Sequence, residues 1–143
     1  MPSATNTVVI NRPIEEVFAF FTDPRNDQRW RDHVVSIAAE GPIAVGAHVS
    51  QSVAGPGGRP ISADIEVTGL DPSSRYAFRV VSGPVRPVGE FRFSAVDGGT
   101  KVEFSLSTEL SGLNKLLMSG AVQRSMDTEV AGLEKAKAFL ESA

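Results

Sequence analysis

Between residues 33 and 110 the side chains alternate, apolar then polar, through one segment after another. Ile61, Ala63, Ile65 and Val67 share one parity, and Ser62, Asp64 and Glu66 share the other. Tyr76, Phe78 and Val80 oppose Arg75 and Arg79, and Phe91 and Phe93 oppose Glu90 and Arg92. Val102, Phe104 and Leu106 oppose Lys101, Glu103 and Ser105. A period of two is the pleat of a β-strand, whose successive side chains point to opposite faces. The chain must therefore build a sheet with one dry face and one charged face. Strands are expected over about 33–40, 47–54, 61–69, 75–82, 87–96 and 100–110, after a short first strand at 5–10. The separators GPIAVG, AGPGGRP, LDPSS, SGPVRP and DGG are all turn chemistry. Links this short require antiparallel neighbours, because a parallel crossover needs a dozen residues or more. Asp97-Gly98-Gly99 is the clearest hairpin turn among them.

A dry sheet face must be covered by another element. Outside the alternating block the period changes to that of a helix. Ile14, Val17, Phe18 and Phe21 fall at i, i+3, i+4 and i+7, one helical face. Pro13 suits the first turn, and Glu15 and Glu16 complement the positive end of the dipole. Asp23-Pro24 stops this helix and starts a second short one, with Asp23 as N-cap and Pro24 as first helical residue. That second helix closes on Trp30, the single tryptophan. After Gly112 the pattern stays helical to about Leu140, and only this long helix is large enough to cover the sheet. The predicted class is α+β, in one domain spanning 1–143.

The final helix carries two apolar stripes. Met118, Val122, Met126, Val130, Leu133 and Leu140 form one, and Leu113, Leu116 and Leu117 lie nearly opposite, beside Gly120. One straight helix does not bury two opposite faces. A kink between Gly112 and Gly120 is expected, folding the leucines over the entrance to the covered space as a lid. The alternative is that the leucines form a homodimer contact.

Composition narrows the function. Cysteine is absent, which excludes disulfides, thiolate nucleophiles and zinc-thiolate sites. The two histidines, His33 and His48, are thin material for a metal site, so neither a metal nor a cofactor is expected. A net charge of −3, from 14 basic and 17 acidic residues, speaks against nucleic acid, whose binding rests on phosphate neutralisation. No apolar run approaches the ~20 residues of a membrane span, so membrane insertion is not expected. MPSATNTVVI lacks the basic-then-apolar form of a secretory signal, and the expected compartment is the cytoplasm. No nucleophile elbow is present, and AGPGGRP lacks the Lys-Ser/Thr of a phosphate loop, which leaves it a hairpin tip. Arg25, Arg29 and Arg31, interleaved with Asp23, Asp27 and Asp32, read as a solvated helix face.

The stretch Pro13-x-Glu15-x-Val17-Phe18, then Asp23-Pro24, then Trp30, resembles the START-related, Bet v 1-like helix-grip proteins. Within them it is most similar to the polyketide cyclase/dehydrase and lipid-transport group, often called SRPBCC. Strand count and final helix extend the resemblance over essentially the whole chain. The resemblance implies a curved sheet of about seven strands gripping the last helix, with an apolar cavity between them. It leaves activity open, because members include cyclases, lipid carriers, hormone receptors and chaperone activators.

Projected into such a cavity, the apolar faces place Phe78, Phe91, Phe104, Met118, Val122 and Met126 on its wall. Four polar residues share inward parity: His33, Gln51, Tyr76 and Thr108. Trp30 either joins the core or touches ligand. The expected function is binding of a small hydrophobic molecule such as a lipid or polyketide. The alternative is a cyclase, aromatase or dehydratase with His33 or Tyr76 as acid or base, His33 being the one imidazole of the inward set. A third reading, a chaperone-activator-like interaction module, needs an exposed apolar patch.

Overall fold

The computed structural model describes residues 2–142. Strand β1 (Ser3–Ile10) leads into helix α1 (Ile14–Phe21) and a 3₁₀ helix (Pro24–Arg29). Strands β2 (Val34–Ala39), β3 (His48–Ala54), β4 (Pro60–Ser62), β5 (Ile65–Asp71), β6 (Arg75–Val80), β7 (Val88–Val96) and β8 (Gly99–Ser107) follow. Helices α2 (Gly112–Ala131) and α3 (Leu133–Ser142) complete the chain. All strand pairs are antiparallel, in the order β1-β8-β7-β6-β5-β3-β2, with β4 pairing β3 off that path. The architecture is a curled half-barrel closed by the C-terminal helical segment, the helix-grip arrangement.

The second short helix is 3₁₀ rather than α, and its start is as expected: the Asp23 side chain accepts the Arg25 backbone N–H at 3.0 Å. Two departures in the sheet have local causes. The strand expected over 61–69 is divided, because β4 pairs with β3 while Asp64 turns its carboxylate to the Gln51 backbone N–H at 3.0 Å. The ladder also skips Thr68, between Val67↔Phe78 and Gly69↔Ala77, and Val35, between Val34↔Val53 and Ser36↔Ser52. A skipped residue inverts the parity behind it. Val34 is therefore buried and Val35 exposed, and His33 precedes the strand instead of sharing its inward row with Val35.

The core is aromatic. Phe91 and Phe104, paired across β7 and β8, stack with centroids 4.1 Å apart. Phe21 reaches Phe91 at 5.2 Å and Trp30 at 5.4 Å, which locks α1 and the 3₁₀ helix onto the sheet. Each such ring contributes about 1.5–3 kcal/mol by leaving water. Gly89 faces Phe78 across β6 and β7, and a Cβ there would come within 2.3 Å of the Phe78 ring. The absent side chain is what lets Phe78 lie over its neighbour.

The C-terminal helices are tied to β1 by side chains on both partners. Asn6 Nδ2 donates to the Val130 carbonyl at 3.0 Å, Gln123 Nε2 to Ser3 at 2.6 Å, and Lys137 Nζ to Val9 at 2.6 Å. The expected kink between Gly112 and Gly120 does not occur. Helix α2 runs unbroken through Gly120, and the interruption falls at Gly132. An exposed helical glycine costs only about 1 kcal/mol, too little to break a helix by itself. Continuing straight, α2 leaves the sheet, and Leu113, Leu116 and Leu117 stand 68%, 81% and 69% exposed. The first buried residue of α2 is Val122.

Candidate functional site

The 3₁₀ helix brings Asp27 and Arg31 onto one side, and the Arg31 backbone N–H donates to the Asp27 carbonyl at 2.8 Å. The Arg31 guanidinium then gathers three elements. Its Nη1 donates to Asp27 Oδ2 at 2.8 Å and to Gln51 Oε1 of β3 at 3.1 Å. Its Nε donates to Glu129 Oε1 of α2 at 2.5 Å. The other Glu129 oxygen lies 2.5 Å from His33 Nε2. Arg31, Asp27 and Glu129 are only 12%, 15% and 11% exposed at the side chain, so these charges are nearly out of water. His33, at 33%, forms the wet edge of the group.

Burial alone would neutralise both carboxylates, and their neighbours decide differently for each. Burial disfavours charge on Glu129, yet Arg31 and His33 together hold its carboxyl below the usual range. Burial dominates at Asp27 and, with repulsion from Glu129, overcomes Arg31 and raises it to about 6. Tyr76, inward on β6, has its phenol raised by burial and by the Asp27 carboxylate, with Arg31 opposing. Tyr76 thus sits within the field of the cluster. The arrangement offers a fixed cation, an ionised carboxylate bonded to an imidazole, and a carboxyl that exchanges its proton near pH 6. That is the equipment for orienting a polar ligand group or moving a proton.

The inward residues named from sequence fall into three places. His33 and Gln51 meet in the charged cluster through Glu129 and Arg31. Trp30, Tyr76, Phe78, Phe91 and Phe104 form one aromatic wall inside the packed core, not the lining of an open cavity as expected, in which Tyr76 stacks on Phe91 at 5.8 Å and Trp30 meets Phe104 edge-on at 6.0 Å. Val122 and Met126 are buried against that wall, and Met118 is half-buried at its margin. Thr108 stands apart, beside a cavity of about 540 Å³ at the end of the grip where α2 leaves the sheet. Val85 and Arg86 of the β6–β7 connection, Val88, Leu110 and Asn114 also line it. A second cavity of about 470 Å³ lies between the end of α1 and β2, beside Thr22, Pro24, Ile37 and Ile43. Among the described residues no His, Cys, Asp or Glu cluster is arranged to hold a metal ion, and no helix is long and apolar enough to cross a membrane.

Three members of the cluster are not legible in the sequence as site residues. Arg31 and Asp27 do not belong to a solvated helix face, because Glu129 and Gln51 close over them. Arg25 and Arg29 do behave as surface residues, the former 89% exposed against Asp23 and the latter over the Phe139 ring. The overlooked signal is Glu129 itself. It stands three residues after Met126 and four before Leu133, within the inward row Val122, Met126, Leu133, Ala136 and Leu140. A carboxylate in a buried row requires a partner.

Comparison with known proteins agrees with this architecture. Residues 1–137 match the family model described as polyketide cyclase / dehydrase and lipid transport. No curated protein matches the chain. Among solved structures it is similar to TTHA0849 from Thermus thermophilus, with a TM-score of 0.77 at 19% identity over 99% of this chain and 100% of that one. It is similar to the allergen Ara h 8.0201, with a TM-score of 0.70 at 14% identity over 99% and 98% of the two chains. The di-domain ARO/CYC StfQ from the steffimycin biosynthetic pathway matches 98% of this chain with 51% of its own, at 13% identity and a TM-score of 0.76. With the opening helix pair, the gripped C-terminal helices and a family match over residues 1–137, the chain belongs to the polyketide cyclase / dehydrase and lipid transport family and shares the fold of Ara h 8.0201.

Proposed function

We propose that this protein binds a small hydrophobic molecule between its sheet and C-terminal helix, admitted at the Thr108 end. The observation that carries the reading is the cavity of about 540 Å³ where α2 parts from β8. Its volume falls in the range of small-molecule sites. Its lining pairs apolar Val85, Val88 and Leu110 with polar Thr108, Ser111 and Asn114, enough to seat an apolar body and orient a polar end. The stretch beside it, from Gly112 to Leu117, is exposed at every residue and can shift at little cost. The stacked rings farther in fill the middle of the grip, so a longer ligand enters by moving them.

Titration with anilinonaphthalene sulfonate, an environment-sensitive dye, tests this. Val85 lines the cavity from the β6–β7 connection and packs against the core, so Val85→Trp adds its ring on the inward side of the space. Dye binding should fall at least tenfold in that variant and persist when Leu116 and Leu117 are changed to serine. Equal binding by wild type and Val85→Trp, with loss in the serine variant, would place the dye on the helix surface and refute the reading.

The family and the His33–Glu129 contact at 2.5 Å support a second reading, a cyclase- or dehydratase-type reaction at the charged cluster rather than in the Thr108 cavity. There Glu129 holds the imidazole, and His33 removes and returns a proton on a carbonyl substrate. His33→Ala would abolish such turnover while leaving dye binding intact, whereas turnover retained in this variant removes the enzymatic role of His33.

A further inference from the structure

Trp30 is 3% exposed, and its indole Nε1 is a buried polar atom with no hydrogen-bond partner among the described residues. Buried donors are almost always paired, and one left alone weighs against the fold. The surroundings explain why the protein supplies nothing. Phe21, Phe91 and Phe104 meet the indole edge-on at 5.4, 6.2 and 6.0 Å, and none bears an acceptor oxygen. A ring face is at best a weak acceptor. The opposite side of the indole is fixed by the α2–α3 junction. A Cβ on Gly132 would come within 3.1 Å of the Trp30 carbonyl and 3.2 Å of its Cε3. Cε3 and Nε1 lie on opposite long edges of an indole. Seating the Cε3 edge against Gly132 therefore turns the N–H away from the helix junction.

We infer that the Trp30 indole N–H is the hydrogen-bond donor for an acceptor oxygen, such as a ring ketone, in the apolar body of the bound molecule. This rests on the ligand-binding reading above and adds the chemistry that the molecule must carry. The route is the inward row of β8. Thr108 at the cavity, Leu106 and then Phe104 beside the indole share one face, a run of about 13 Å at strand rise. The ligand that satisfies Trp30 is therefore elongated, rigid and oxygenated at its inner end. A saturated hydrocarbon leaves the N–H as lonely as before.

The experiment uses acetylnaphthalene and ethylnaphthalene, which share a ring system and differ by a carbonyl oxygen. The chain holds a single tryptophan, so its indole gives one ¹H–¹⁵N resonance that needs no assignment. The ketone should move the indole proton downfield, and the hydrocarbon should leave it near its free position. Wild type should prefer the ketone by about tenfold more than Trp30→Phe does, the size of one well-made bond in a dry site. Equal movement with both probes reports ring displacement alone and overturns the assignment. Binding of both with an unmoved resonance overturns it too, leaving the ligand reading intact. Binding of neither removes the ligand reading and this inference with it. Should Trp30→Phe fail to fold, the wild-type resonance decides.

Discussion

Replacing Glu129 by glutamine removes one charge from the buried cluster and keeps its shape. Glu129 accepts Arg31 Nε at 2.5 Å and contacts His33 Nε2 at 2.5 Å, with its side chain 11% exposed. Hydrogen bonds to a charged group contribute ~1.5–3 kcal/mol and neutral ones ~0.5–1.5, so each loses about 1 kcal/mol. Arg31 also keeps only one full counter-charge, Asp27, which burial has already pushed toward its neutral form. Breaking a buried pair outright costs about 3–5 kcal/mol, and the amide and Gln51 soften this. The expected loss is about 2–3 kcal/mol. At roughly 3 °C per kcal/mol for a chain of this length, Tm should fall by about 6–9 °C. Differential scanning calorimetry at neutral pH reads it directly. A Tm within about 1 °C of wild type would mean that the cluster is hydrated and does not pin the 3₁₀ helix to α2, refuting these energetics.

The pH dependence separates the two carboxyls. Asp27 is raised from 3.8 to about 6, so its stabilising contribution is full below 3.8 and is lost as pH rises through about 6. A shift of that size corresponds to about 3 kcal/mol, and Asp27→Asn should flatten urea-derived stability across that window. An unchanged slope would show that Asp27 is not the group responsible. Glu129 is lowered, so its contribution is present above 4.5 and is lost as pH falls through its folded value; Glu129→Gln should remove that acid limb in the same titration. In hydrogen exchange, the helix before Val122 should open more readily than residues 122–140, because its leucines are exposed and the side-chain tie to β1 begins only at Gln123. Equal protection on both sides would show that α2 moves as one body.

Alternation makes the sheet readable because its outer face is wet, with Arg75, Arg79, Glu90 and Arg92 opposite inward aromatics. The bulges at Val35 and Thr68 are not readable. Each inserts one residue without breaking local composition, and only the partner strand reveals it. Parity with Val35 draws His33 inward on paper, while the folded chain brings it to Glu129 from the turn ahead of β2. Arg31 escapes for a different reason. Four residues from Asp27, it has the spacing of an ordinary surface pair, and the carboxylate that buries it lies 98 residues away. The leucines of α2 are out of phase with the helix behind them, as their spacing indicates. What fails is the step from two stripes to a kink, because a helix also resolves two stripes by running past the edge of its sheet. Gln51, at the middle of β3, and Tyr76, at the start of β6, obey their parity and turn inward.

Ligand binding is tested most directly by native mass spectrometry of the purified protein, performed gently enough to keep non-covalent partners. The expected result is a mass excess of one small molecule per chain that disappears on denaturation and is absent in Val85→Trp, whose added ring is directed into the cavity beside Thr108. Bare protein alone, still bare after incubation with apolar extracts and indistinguishable from the variant, would contradict it.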